Sequence, residues 1–192
     1  MGATKSRMSP ISVLRRRCGY TLVEMLIVVS LIALIAALAI PALNDRSDIV
    51  LDRASSEVAA AFRFAQAEAV RTGIPYGVIG DLSAQRVRVY SLDESVNPPV
   101  IVYNVYNSFT KQPYDLQFGI DNSDVYVSSI YFKFEGVFFG QSFIGFAAES
   151  GVPKYNDAGT IRMLENGYIR LGSDGQSRTI SVAPVTGRVT IQ

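Results

Sequence analysis

Residues 16–43 read RRCGYTLVEMLIVVSLIALIAALAIPAL, and this stretch decides the organisation of the chain. Arginines lead up to Gly19, an aromatic follows at Tyr20, and Glu24 stands alone at the head of an apolar run. From Met25 to Leu43, nineteen residues pass without a charge, close to the roughly 20 that a helix needs to cross a bilayer. A carboxylate at the mouth of such a run is costly, about 2.5–3.5 kcal/mol on insertion scales at a helix centre. Glu24 therefore asks for a function. Pro41 lacks the N–H that would bond the carbonyl of Ala37, so it kinks or loosens the helix near the end of the run.

Charge sets direction. Five of the 18 basic residues (Lys5, Arg7, Arg15, Arg16 and Arg17) fall in residues 1–19, which hold no acid. Short basic flanks stay cytoplasmic, while the far flank, Asn44-Asp45-Arg46-Ser47-Asp48, is near neutral or acidic. The expected topology is N-in, C-out. Without residues 1–19 the chain has 13 basic against 17 acidic residues, a net charge of −4, which gives no electrostatic reason to expect nucleic acid as a partner. The one cysteine, Cys18, precedes the apolar run, whereas a lipoprotein cysteine would follow it. Histidine is absent, which removes the commonest general base and the commonest metal ligand.

Beyond the apolar run, Leu51, Ala54, Val58, Phe62, Ala65 and Ala69 recur at steps of three and four, one stripe of a helix. Gly73 and Pro75 end it. An unbroken helix over 20–72 is expected, its first half in lipid and its second on a sheet. The period then changes to two. Strands are expected at 74–79, 86–90, 100–106, 116–118, 125–134, 160–164, 168–171, 179–182 and 188–191, with turns or loops at 80–85, 95–99 and 172–175. Connections this short suit antiparallel pairing. The fold class is α+β, a helix against one antiparallel sheet or two small ones, with no internal repeat visible.

The arrangement Gly19-Tyr20 followed by Glu24 and a long apolar helix resembles the N-terminus of type IV prepilins and type II secretion pseudopilins. Two further stretches narrow the likeness. Ala65-Gln66-Ala67-Glu68-Ala69 is similar to a helix motif of the H-type minor pseudopilin and FimT group, and Thr186-Gly187-Arg188-Val189 is similar to its closing "TGRV" signature. The resemblance spans most of residues 18–192 and is loosest between about 91 and 135. It implies a pilin-like fold with three parts: a leader, 1–19, removed by a prepilin peptidase; a transmembrane and assembly helix, 20–43; and a periplasmic domain, 44–192. It also implies cleavage between Gly19 and Tyr20, methylation of the new amino group at Tyr20, a filament-assembly role for Glu24, and local unwinding at Pro41. Tyr20 departs from the phenylalanine or methionine usual in the family but keeps an aromatic. The implied protein is a single-pass inner-membrane minor pseudopilin near the tip of a type II pseudopilus. Its implied partners are major and other minor pseudopilins and the inner-membrane assembly platform.

Alternatives come from the same residues. Ala37-Leu38-Ala39 matches a signal-peptidase site, which would release a soluble protein. The apolar run, however, exceeds the usual h-region of about 7–15 residues. A FimT-like minor pilin, as of a DNA-uptake pilus, is the second alternative, but Thr190 stands where the group's DNA-linked "GRxR" arrangement has its second arginine.

Little chemistry is encoded. Gly140-Gln141-Ser142-Phe143-Ile144-Gly145 has one residue too many for a nucleophile elbow and no histidine to serve it, and reads as a packing turn. Asp121-Asn122-Ser123-Asp124 is oxygen-rich but lacks the spaced ligands of a calcium loop. No enzyme activity, metal or cofactor is expected. Phe132, Phe134, Phe138, Phe139, Phe143 and Phe146 form an aromatic cluster, with Phe132 and Phe134 on one core-facing side. Adjacent Phe138 and Phe139 cannot both face inward from a regular strand.

Overall fold

The computed structural model describes residues 20–39, 41–96, 99–107, 110–120, 124–138, 140–157 and 159–192. The expectations for Cys18, Gly19 and the rest of 1–19, for the loop at 121–123 and for Phe139 lie outside these residues. The chain divides between Ala42 and Leu43 into two compact units.

In the first unit, helix α1 spans Leu22–Ala39, 18 residues, about 27 Å at 1.5 Å per residue. Its large side chains from Leu22 to Ile35 are all exposed, and they are apolar on every face rather than along one stripe. A helix of that kind requires an apolar surrounding. Among the described residues, no helix is long and apolar enough to cross a membrane. Helix α2 spans Pro41–Thr72. Ile40, between the two helices, lies outside the described residues, so the expected continuous helix appears as two segments.

In the second unit the predicted stripe is the buried one. Leu51, Val58, Phe62, Ala65 and Ala69 are fully buried and Ala54 nearly so. Ser55 is buried beside them, its hydroxyl donating to the Leu51 carbonyl at 2.6 Å, which satisfies its polar atom within the helix. Phe62 meets Phe132 edge-on at 6.1 Å between ring centres.

Among the described residues ten strands follow: β1 Tyr76–Asp81, β2 Arg86–Asp93, β3 Val100–Val102, β4 Asp115–Gln117, β5 Tyr126–Phe134, β6 Phe143–Phe146, β7 Pro153–Asp157, β8 Thr160–Ser173, β9 Gln176–Val182 and β10 Val189–Ile191. All pairings are antiparallel, in the order β10-β9-β8-β7-β6-β1-β2-β3, with β4 also on β2 and β5 also on β8. The expected α+β class is what the chain forms.

Three strand expectations need correction. The segments at 160–164 and 168–171 are one 14-residue strand, β8. Its first four residues pair with β7 and the remainder with β5 and β9, so it joins the β7-β6-β1-β2-β3 half of the sheet to the half formed by β5, β9 and β10. The supposed turn at 140–145 instead leads into β6, and β7 was not expected at all. The strand at 100–106 stops at Val102, leaving an isolated bridge from Tyr106 to Pro113.

Aromatic rings lie over glycines at three cross-strand pairs, Gly77 with Tyr90, Gly167 with Phe132 and Gly172 with Tyr126. The missing Cβ gives each ring its space.

Candidate functional site: the head of the first helix and the loop cluster of the domain

Tyr20 precedes α1 and is exposed. Thr21 is the helix N-cap. Its hydroxyl accepts the backbone N–H of Glu24 at 3.2 Å, and its carbonyl accepts that of Met25 at 3.2 Å. Thr21-Leu22-Val23-Glu24 thus follows the capping-box pattern, with a carboxylate in the first turn where the helix dipole favours negative charge. The sequence carries this signal, a threonine three residues before a glutamate. The geometry places Glu24 in the first turn of α1, its backbone N–H capped by Thr21. Farther along, the Ser30 hydroxyl donates to the carbonyls of Leu26 at 2.9 Å and Ile27 at 2.8 Å, so the polar atom of the apolar segment is satisfied within the helix.

The two motifs quoted from the domain come into contact. Gln66, in the middle of Ala65-Gln66-Ala67-Glu68-Ala69, donates from its side-chain amide to the carbonyl of Thr186 at 2.8 Å and to that of Gly151 at 2.9 Å. Gly187 has a φ of 66°, a left-handed conformation suited to glycine. A Cβ there would lie 2.5 Å from the Gln66 amide nitrogen.

The C-terminal arginines do not form a basic stripe. Arg178 bonds Asp52 at 2.7 Å and approaches Asp48 at 3.8 Å, which ties β9 to the first turns of α2. Arg170 donates to the Thr179 hydroxyl at 3.2 Å. Arg188 is exposed, its backbone N–H donating to the Thr186 hydroxyl at 3.2 Å. Continuous phosphate neutralisation requires several free cations along one track, and Arg178 is already committed to carboxylates.

Among the described residues, no group of three acids, histidines or cysteines could hold a metal ion. At 140–145 there is no nucleophile elbow. Ser142 lends its carbonyl to the N–H of Gly80 at 2.8 Å, and the chain continues into β6. Of the phenylalanine cluster, Phe132, Phe134 and Phe146 are fully buried, whereas Phe138 is 95% exposed.

No curated protein matches the chain. Among solved structures it is similar to the minor pseudopilin EpsH from the Type 2 Secretion System of Vibrio cholerae. The two are 11% identical with a TM-score of 0.48, over 74% of this chain and 95% of that one. Residues 14–40 match the family model described as the prokaryotic N-terminal methylation motif. Gly19, Tyr20, Thr21 and Glu24 all fall within the stretch that is similar to this motif.

Proposed function

We propose that this chain is a minor pseudopilin of the H type, a non-enzymatic building block near the tip of a type II secretion pseudopilus. The observation that carries the reading is the methylation motif at residues 14–40, with Glu24 the lone carboxylate at the head of a helix that is apolar all round. A prepilin peptidase removes residues 1–19, hydrolysing the Gly19–Tyr20 peptide bond and freeing an amino group at Tyr20 that is then methylated. The helix anchors the subunit in the inner membrane as a single span, with residues 44–192 in the periplasm. Its exposed apolar surface passes from lipid to neighbouring helices when the subunit joins the filament, among major and other minor pseudopilins on the inner-membrane assembly platform. Glu24 in that setting requires a cation, and the amino group at Tyr20 of a subunit is chemically suited. Pairing in a low dielectric rewards correct axial register.

The test is intact-mass analysis of the membrane-bound form. Loss of residues 1–19 with gain of one methyl group is expected; a mass beginning at Ile40 would instead indicate signal-peptidase release. A FimT-like minor pilin remains the second reading, on the Thr186–Val189 motif. The commitment of Arg178 to Asp52 and Asp48 weighs against a DNA-binding version of it.

A further inference from the structure

Two hairpin loops of the domain are built alike. Ala147 to Val152 joins β6 to β7, and Ala183 to Arg188 joins β9 to β10. In each, the alanine N–H donates to the carbonyl five residues on, at 2.9 Å in both loops. In each, a glycine N–H returns to the alanine carbonyl, again at 2.9 Å. Both glycines are left-handed, Gly151 at φ 64° and Gly187 at φ 66°. The hydroxyl just before each glycine, Ser150 or Thr186, accepts the N–H just after it, at 3.5 Å and 3.2 Å. This is a small structural repeat, alanine, two variable residues, a hydroxyl residue and glycine.

The loops belong to hairpins separated by β8, and among the described residues no backbone hydrogen bond joins them. Gln66 bridges them where they come close: a Cβ on Gly187 would lie 3.2 Å from the Gly151 carbonyl oxygen. A side-chain amide has two N–H groups, and here one reaches each loop, at Gly151 and at Thr186. The glutamine fills the notch between the glycines, since a Cβ on Gly151 would meet its Cγ at 3.1 Å and one on Gly187 its amide nitrogen at 2.5 Å. Beyond it the loop tips are open to solvent, with Glu149, Ser150, Val185 and Thr186 exposed.

We propose that Gln66 is a latch that couples these two matched loops into one moving unit, so that displacement of either is transmitted to the other. Both donors of one planar group are used. Neither loop can shift away from the helix without drawing on the bond that orients the amide toward the other. This coupling goes beyond the pseudopilin reading and does not depend on it.

Hydrogen exchange on the full chain in detergent micelles tests the idea, because the loops fall in separate peptides. Gln66→Met keeps the length and removes both donors. Exchange in 147–152 and in 183–188 should accelerate together, by about tenfold each for the loss of a bond worth 1–1.5 kcal/mol, while the β1–β2 hairpin is unchanged. Thr186→Ala is the milder variant, loosening only the second loop directly; acceleration should nevertheless appear in 147–152 as well. Acceleration confined to one loop in either variant, or no change in both, overturns the latch. If Gln66→Met also exposes the β1–β2 hairpin, the Thr186→Ala result decides alone.

Discussion

Gly77 and Tyr90 face each other across the first hairpin so closely that a Cβ on the glycine would lie 2.4 Å from the tyrosine ring. The same Cβ would sit 2.3 Å from the Ile144 carbonyl, the group that accepts the Tyr90 hydroxyl at 3.2 Å. Glycine is therefore the residue that lets β1 lie between β2 and β6 with a buried tyrosine laid over it. Gly77→Ala is expected to lower stability by about 2–3 kcal/mol through overpacking. Thermal unfolding followed by circular dichroism checks this, and an unchanged midpoint would refute the packing described.

Burial pushes the Tyr90 phenol well above the ordinary tyrosine range, and burial raises that of Tyr114 as well. A raised folded-state value favours the neutral form. Its contribution is complete below the unfolded phenol value of about 10 and is lost as pH rises through the folded value. The domain should hold its stability through neutral pH and weaken above about pH 10. Tyr90→Phe should flatten that alkaline decline, as measured by urea unfolding at successive pH values; an equally steep decline would remove Tyr90 as its source.

Val58 is fully buried at the centre of the α2 stripe. Val58→Asp places a carboxylate in the apolar core, at an expected cost of more than about 3 kcal/mol. A melting temperature within a degree or two of the parent would contradict the assigned face.

The phenylalanines divide sharply. Phe132→Ala should cost about 3–5 kcal/mol, because its ring is fully buried against Phe62 and over Gly167. Phe138→Ser should stay within about 0.5 kcal/mol, since that ring is in solvent. Comparable losses at both positions would place Phe138 in the core after all.

For Glu24, charge and helix capping make different demands. On the proposed pseudopilin reading, Glu24→Ala is expected to leave leader removal and membrane insertion intact and to weaken incorporation and secretion, partially for a subunit at a filament tip. Glu24→Gln keeps a capping-box residue at the third helical position but removes the charge. If pairing with an amino terminus is the role, the glutamine variant should be as defective as alanine in cysteine crosslinking to a neighbouring minor subunit. If capping is the role, glutamine should behave as the parent.

Long periodic patterns made most of this fold legible. The α2 stripe was visible because six apolar residues keep helical spacing for five turns, and the strands at 86–90 and 125–134 because they alternate. The strands β6 and β7 were hidden by glycines at 140 and 145 and by Pro153, residues that argue for turns when neighbours across the sheet are unknown. The division of β8 into two expected strands has the same cause: Gly167 looks like punctuation until Phe132 is seen above it. At the site, Tyr20 and Glu24 stood out because charge and apolar length contrast so strongly there. Gln66 carried no such contrast, since its partners are backbone carbonyls, which the sequence does not distinguish. The paired loops share only an alanine and a glycine outright, with serine and threonine exchanged, too little to mark a repeat in the sequence.

The length of β8 bears on how the domain comes apart. Its first residues are hydrogen-bonded to β7 and the rest to β5 and β9, so neither half of the sheet can fray to completion while the other holds this strand. Local opening is ordinarily partitioned among separable cooperative units; a shared strand merges two such units. Unfolding should therefore follow a single two-state transition, with fluorescence and far-ultraviolet dichroism coincident. Pulling force applied along the chain would meet one barrier rather than a succession of smaller ones.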